Sequence, residues 1–194
     1  METSLLLSMT GFALVMSISP GPVNLVAFGA GARHGFRATA GHVLGATLGF
    51  VLLLVLMCAG LSGLLLRWPL LAGALHWGGL LFMGYVAWLL VADSGELALR
   101  EPAAPALHHG ALMQWLNPKA WLAASMGAGS YVGDGATERI VLFAGLYFVV
   151  CLLSIACWAY AGSRLRERLW QGRRQRWFNR AMAVLLVGVV ILQG

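Results

Sequence analysis

Six stretches of the chain are nearly unbroken runs of apolar side chains, at roughly 5–30, 39–66, 69–92, 109–132, 139–162 and 177–194. A helix that crosses a bilayer needs about 17–25 such residues, and each run meets that length. The second run has residues to spare, and the last is the leanest, its uninterrupted part being Ala181 to Leu192. Between the third and fourth runs, Asp93 to Leu107 holds three acids, one arginine and two prolines, the composition of an exposed linker. The pattern predicts an all-α integral membrane protein with six transmembrane helices. These form a single membrane domain over residues 1–194, with halves of about 1–92 and 109–194 joined by a cytoplasmic linker at 93–108. Six spans use nearly the whole chain and leave no soluble domain to hold an ordinary active site.

Two of the runs are interrupted from within. The first contains Ser19-Pro20-Gly21-Pro22-Val23-Asn24. A spanning helix must satisfy its backbone polar groups internally, because the hydrocarbon core offers no water. Pro20 and Pro22 have no N–H, so the carbonyls of Met16 and Ile18 lose their partners four residues on. Freed carbonyls at that depth are tolerated where they are buried in protein or line a polar cavity. A packing kink is the plain reading of one membrane proline. Two prolines flanking a glycine, followed by Asn24, point instead to the discontinuous helix of a transporter.

The second interruption is Gln114-Trp115-Leu116-Asn117-Pro118-Lys119-Ala120, where Pro118 frees the carbonyl of Gln114. Pro20 and Pro118 stand 98 residues apart, and the same offset carries Thr39, at the start of the second run, to Thr137, just before the fifth. Halves of three spans each must insert in opposite orientations. The expected architecture is therefore a 3+3 inverted repeat, with helices 1 and 4 broken at their proline motifs near the midplane.

Lys119, the only lysine of the chain, is also the only Lys, Arg, Asp or Glu inside any run apart from Arg139 and Arg180 at the beginnings of theirs. Such a residue costs at least ~2.5 kcal/mol at mid-helix, which makes it a functional candidate by default. Snorkelling to the surface is the competing reading. Lys119 stands ten residues past His109, about 15 Å along a helix, and a lysine stem covers less than half of that. His42 lies one turn inside the cytoplasmic end of helix 2. It is read as an interfacial or hydrogen-bonded histidine, with proton carriage open as a second role. Gly41, Gly45 and Gly49 place three glycines on one face of that helix, where another backbone can approach closely.

Composition and charge narrow the classes further. Hydrophobic residues make up 60% of the 194 and charged residues 10%, against about 25% charged in soluble domains, and the mean hydropathy is +0.80. The formal net charge of +6 would suit nucleic acid, but its placement argues against that partner. With the N-terminus outside, ten arginines fall in inside loops and only Arg67 and Arg139 outside. That asymmetry puts both termini on the non-cytoplasmic side. The Arg164–Arg180 run then anchors the chain at the anionic lipids of the inner leaflet. Cys58, Cys151 and Cys157 lie in apolar runs without metal-ligand spacing, and no metal or other cofactor is implied. A metal-ion exporter would carry intramembrane ligand clusters, a thiol-relay enzyme would need cysteines near the breaks, and a scaffold would not need Lys119. The chain is not read as an enzyme.

The motifs resemble the lysine-exporter (LysE/RhtB) family of amino-acid exporters. The likeness rests on Ser19-Pro20-Gly21-Pro22 with Asn24, then Arg33-His34-Gly35-Phe36-Arg37, and the glycines of helix 2. It continues through Asn117-Pro118-Lys119-Ala120 to an arginine-rich run before a short last helix. Within the family, Leu44-Gly45 through Cys58-Ala59-Gly60-Leu61 looks like the cysteine/O-acetylserine exporters. The resemblance implies efflux of small amino acids across the inner membrane, driven by the proton gradient. The working unit is expected to be a monomer or homodimer. Export of another small solute or ion on the same fold, and a non-transporting scaffold, are the alternatives.

An amino-acid substrate agrees with the chemistry of the residues. A zwitterion needs one partner for its anion and one for its cation. Lys119, helped by the exposed N–H groups after Pro22, suits the carboxylate. The freed carbonyls of Met16, Ile18 and Gln114, with Asn24 and Asn117, suit the ammonium. The expected substrate-binding set is Pro20, Gly21, Pro22, Asn24, Asn117, Pro118 and Lys119, with Ser17, Ser19 and Ser125 secondary. No span offers Lys119 a fixed anion, so the missing charge is expected from the substrate. Proton coupling falls to Lys119 or His42, with a carboxyl at a helix end such as Asp134 or Glu138, or the substrate itself, as further options.

Overall fold

The computed structural model describes residues 3–92, 104–133, 136–169 and 173–193, all helical or in short turns, with no strand among them. Helix α1 (Thr3–Ile18) stops at the first proline motif, and α2 (Pro22–His34) begins on its second proline. The fixed φ of Pro22 suits the first helical position, where the missing N–H costs nothing. The two helices meet at a bend of 60°. Gly35, at φ +85°, turns the chain into α3 (Phe36–Leu56), a backbone state that a side chain would resist. A wide π-type turn over Met57–Leu61 leads to α4 (Ser62–Arg67) and α5 (Pro69–Ala92).

In the second half, α6 (Leu107–Trp115) and α7 (Pro118–Gly127) flank the other proline motif. A second π-type turn, Ala128–Val132, precedes α8 (Thr137–Leu169) and α9 (Arg173–Gln193). Most of the expected linker lies outside the described residues, as do Arg100, Asp134 and the side chains of 166–175 in the arginine run.

The protein is all-α and crosses the membrane several times. Phe36–Leu61, Pro69–Ala92 and Thr137–Leu165 are each long and apolar enough to span, and the bent pair α1–α2 makes a fourth if it counts as one crossing. Two boundaries depart from the apolar runs. The second run is not one straight helix, because Gly60 takes φ +105° inside it, and the surplus length goes into the kink and α4. The fifth run continues past its apolar end to Leu169. There Arg164 closes the turn by donating from Nε to the Tyr160 hydroxyl (2.8 Å).

Small residues bring these helices unusually close. On the α2–α8 crossing, a Cβ at Gly31 would land on the carbonyl of Ala159, and one at Gly162 on the carbonyl of Phe28. On the α3–α6 crossing, Gly45 sits against the carbonyl of Leu107, Gly110 against that of His42, and a Cβ on Gly49 would meet Ala111 Cα at 2.8 Å. The evenly spaced glycines of α3 are thus the seat of α6. The main core, including Met9, Val23, Phe50, Ala124, Phe143 and Tyr147, fills the space between α1, α2, α3, α7 and α8. A smaller one joins α5 to α9 through Met83, Val86, Ala87, Ala183 and Leu186.

These contacts set an expectation for glycine replacement. Gly31→Ala and Gly45→Ala force backbones apart and should each cost ~1–3 kcal/mol, the range for overpacking. Gly29→Ala, with nothing within 4 Å of its Cβ position, should be neutral or gain the ~0.5–1 kcal/mol of a helical alanine. Thermal unfolding in detergent distinguishes them, and equal melting of all three variants would contradict the packing described.

Candidate functional site

The site grows from the carbonyl end of α1. Its last backbone bond is Ser19 N–H to Val15 O, a long 3.4 Å, and beyond it the carbonyls need donors from elsewhere. Four side chains supply them, one from the break itself and three from α2, α7 and α8. Ser19 Oγ donates to Val15 O at 2.7 Å. Asn24, in the first turn of α2, reaches back across the break and donates from Nδ2 to Ser17 O (2.8 Å) and Ser19 O (2.9 Å). The indole of Trp158 on α8 donates to Ile18 O at 2.9 Å. Lys119, in the first turn of α7, donates from Nζ to Ser19 Oγ (2.7 Å), Ser19 O (2.9 Å) and, at the long limit, Pro20 O (3.4 Å).

The second break is closed more locally. Asn117 caps α7 by accepting from Lys119 N–H through Oδ1 (3.2 Å). Its own N–H takes the Gln114 carbonyl at 3.1 Å, while its Nδ2 donates to Gln114 Oε1 at 3.4 Å. Trp121 Nε1 donates to Trp115 O at 2.7 Å. Gly79 of α5 backs this break, its Cβ position 3.1 Å from Pro118 Cδ and 3.2 Å from Leu116 O.

Between the two breaks lies a small cavity of about 30 Å³. Its polar wall is Ser17, Asn24, Gln114, Asn117, Lys119 and Tyr147. Phe50 and Tyr147 close one side as a stacked pair, ring centres 4.4 Å apart. Gly21 also lines it, and a Cβ there would stand 3.6 Å from Lys119 Cδ and 3.7 Å from Nζ. Ser17 Oγ is buried and has no hydrogen-bond partner among the described residues. No carboxylate lines the cavity, so the fixed charge there is the Lys119 ammonium. It faces the carbonyl end of α1, where the helix dipole is negative.

Of the residues singled out from sequence, Gly21, Asn24, Asn117 and Lys119 meet at the cavity. Pro20 contributes its carbonyl, whereas Pro22 and Pro118 act as the opening residues of α2 and α7. His42 is fully buried off the cavity, with Nε2 3.3 Å from Val23 O and Nδ1 without a partner among the described residues. Ser125 borders a different hollow, with Met57, Leu65 and His76. One detail differs from expectation and one adds to it. The carbonyls of Ile18 and Gln114 already have protein donors, and Lys119, without a fixed anion on the cavity, has three neutral acceptors. Trp158, Phe50, Tyr147 and Cys151 were not singled out. They lie on α3 and α8, far in sequence from the breaks, and only the fold brings them there.

Compared with known proteins, residues 14–192 match the LysE type translocator family. The chain is 26% identical over 191 residues to the cysteine/O-acetylserine efflux proteins of Escherichia coli (strain K12) and Shigella sonnei (strain Ss046), covering 96% of each chain in both comparisons. No solved structure gives a significant match.

The donors at the first break can be ranked by what their loss leaves behind. Asn24→Leu strips a donor from two carbonyls and should cost ~1–3 kcal/mol or more, since an orphaned buried acceptor loses its full solvation. Trp158→Phe keeps the ring and strips one donor, so its cost should be smaller. Melting of the purified variants measures both. An Asn24→Leu protein as stable as the parent would remove Asn24 from this role.

Proposed function

We propose that this chain, which belongs to the LysE type translocator family, exports small amino acids or close derivatives across the inner membrane. It is a transporter and not an enzyme. The observation that carries the substrate class is a lone ammonium, Lys119 Nζ, beside two broken helices in a cavity without a carboxylate. A ligand that brings its own carboxylate completes the charge. Lys119 and the unpaired N–H groups in the first turn of α2 hold that carboxylate. Side-chain oxygens of Asn117 and Gln114, with the carbonyls of the α1 end, hold the ammonium. Ser17 Oγ, on the cavity wall, suits a polar atom of the substrate side chain. The curated relatives, named for cysteine and O-acetylserine efflux, agree with a small, neutral amino acid.

In this reading the chain crosses six times, through α1 with α2, α3, α5, α6 with α7, α8 and α9. Its halves are inverted, with both termini non-cytoplasmic and the Arg164–Arg180 run against anionic lipid on the cytoplasmic face. It works as a monomer or homodimer. Movement of one half against the other about the paired breaks exposes the cavity to either side in turn. Export is coupled to protons, and Lys119, on the cavity, is the preferred carrier over His42, which lies off it.

Counterflow in proteoliposomes tests the site. Lys119→Met should insert normally yet lose uptake of labelled O-acetyl-L-serine by at least tenfold, while Lys119→Arg keeps part of it, the two cations differing in shape. Equal uptake by Lys119→Met and the parent would take the lysine out of the site. In the same vesicles with an imposed pH gradient, His42→Gln should still concentrate substrate, and its failure alone to do so would move the proton to His42.

A further inference from the structure

The Lys119 ammonium sits where a substrate ammonium would be best received. A protonated amine has three N–H donors and no acceptor. At the end of α1 it meets three acceptors, Ser19 Oγ at 2.7 Å, Ser19 O at 2.9 Å and Pro20 O at 3.4 Å. All three are neutral, and two are carbonyls at the negative end of a helix. The remaining capacity of the cradle is used too. Ser19 Oγ spends its own proton on Val15 O, and Ser19 O also accepts from Asn24. Lys119 thus has no donor to spare for a carboxylate while it stays in place.

We propose that Lys119 is a tethered stand-in for the substrate's ammonium, and that loading is an exchange. This rests on the reading that a zwitterionic amino acid binds between the breaks. The incoming carboxylate draws the Lys119 ammonium off Ser19 and Pro20, beginning with the long bond to Pro20 O. The substrate's ammonium then takes the vacated carbonyls and hydroxyl. The acceptors at Ser19 and Pro20 are filled before and after, and the net charge of the cavity stays at one positive unit, because the zwitterion adds none. A ligand with the amine alone would put two cations side by side with no anion, which a cavity poorly supplied with water rejects. A ligand with the carboxylate alone would leave the cradle at the end of α1 without its donors. The exchange therefore selects for both groups together. It also makes Ser19, rather than the carbonyls of Ile18 and Gln114 that the prolines free, the residue that receives the amine.

The test separates this exchange from transport. In Lys119→Ala the cradle is left without its ammonium, and methylammonium chloride should refill it. The purified variant's melting temperature should rise by about 2–4 °C at saturating methylammonium, but not with equal tetramethylammonium chloride, which has no N–H. The parent protein should gain from neither salt, and should gain from O-acetyl-L-serine but not from its decarboxylated counterpart, O-acetylethanolamine. Lys119→Ser serves in the same way where Lys119→Ala does not purify as a single folded species. Failure of methylammonium to stabilise a folded Lys119→Ala or Lys119→Ser protein overturns the exchange, as does stabilisation of the parent by methylammonium alone. If methylammonium rescues the variant but O-acetyl-L-serine leaves the parent unchanged, the cradle stands and the amino-acid reading fails instead.

Discussion

The contact between the Lys119 ammonium and the carbonyl end of α1 is the interaction on which the rest of the structure depends. Pro20 and Pro22 leave α1 without the N–H groups that would continue it, and a bilayer interior cannot supply water in their place. The break exists only because other elements come to it with donors. Asn24 arrives from α2, Trp158 from α8 and Lys119 from α7. Each must be held at hydrogen-bonding distance, and the crossings of α2 with α8 and of α3 with α6 are built from glycines that let backbones touch. The glycines of α3 fix α6, and α6 fixes the cap at Asn117 from which the lysine projects. Packing far from the cavity is in this way a condition of its geometry.

The same arrangement gives the cavity its electrostatic character. One cation is turned into the cavity, toward the negative end of a helix dipole, and no acid lines the space. Neutral acceptors can hold an ammonium there, but they do not cancel its charge, so the site retains an attraction for an anion. That attraction is what a free amino acid can satisfy and an amine cannot. The acceptors at Ser19 are occupied without a ligand, so the empty protein does not leave the carbonyl end of α1 without donors.

Much of this was legible in the sequence, for identifiable reasons. Proline removes a donor wherever it stands, so both breaks were visible, and a lysine amid apolar residues is conspicuous by its desolvation cost alone. Evenly spaced glycines on α3 announced a close neighbour without saying that it was α6. What could not be read were partners supplied through the fold. Nothing in the sequence marks Trp158, and only its position opposite Ile18 turns its N–H into a cap. The Phe50–Tyr147 stack joins residues nearly a hundred positions apart. The neutral cradle around Lys119 was missed because the search was for a fixed anion, and carbonyls are present everywhere in a sequence. Gly60, kinked inside the longest apolar run, shows the limit of hydropathy, which measures length and not straightness.

Because Lys119 is the only lysine in the chain, its ammonium can be observed alone. The most direct measurement is magic-angle-spinning dephasing of a 15Nζ-lysine signal by 13C-carbonyl serine in protein reconstituted into bilayers without substrate. Ser19 O lies 2.9 Å from Nζ, so strong dephasing is expected from a carbonyl carbon within about 4 Å, one bond length beyond its oxygen. A lysine signal with no serine carbonyl that close would contradict the account, since the ammonium would then be elsewhere and the break in α1 would be held by other means.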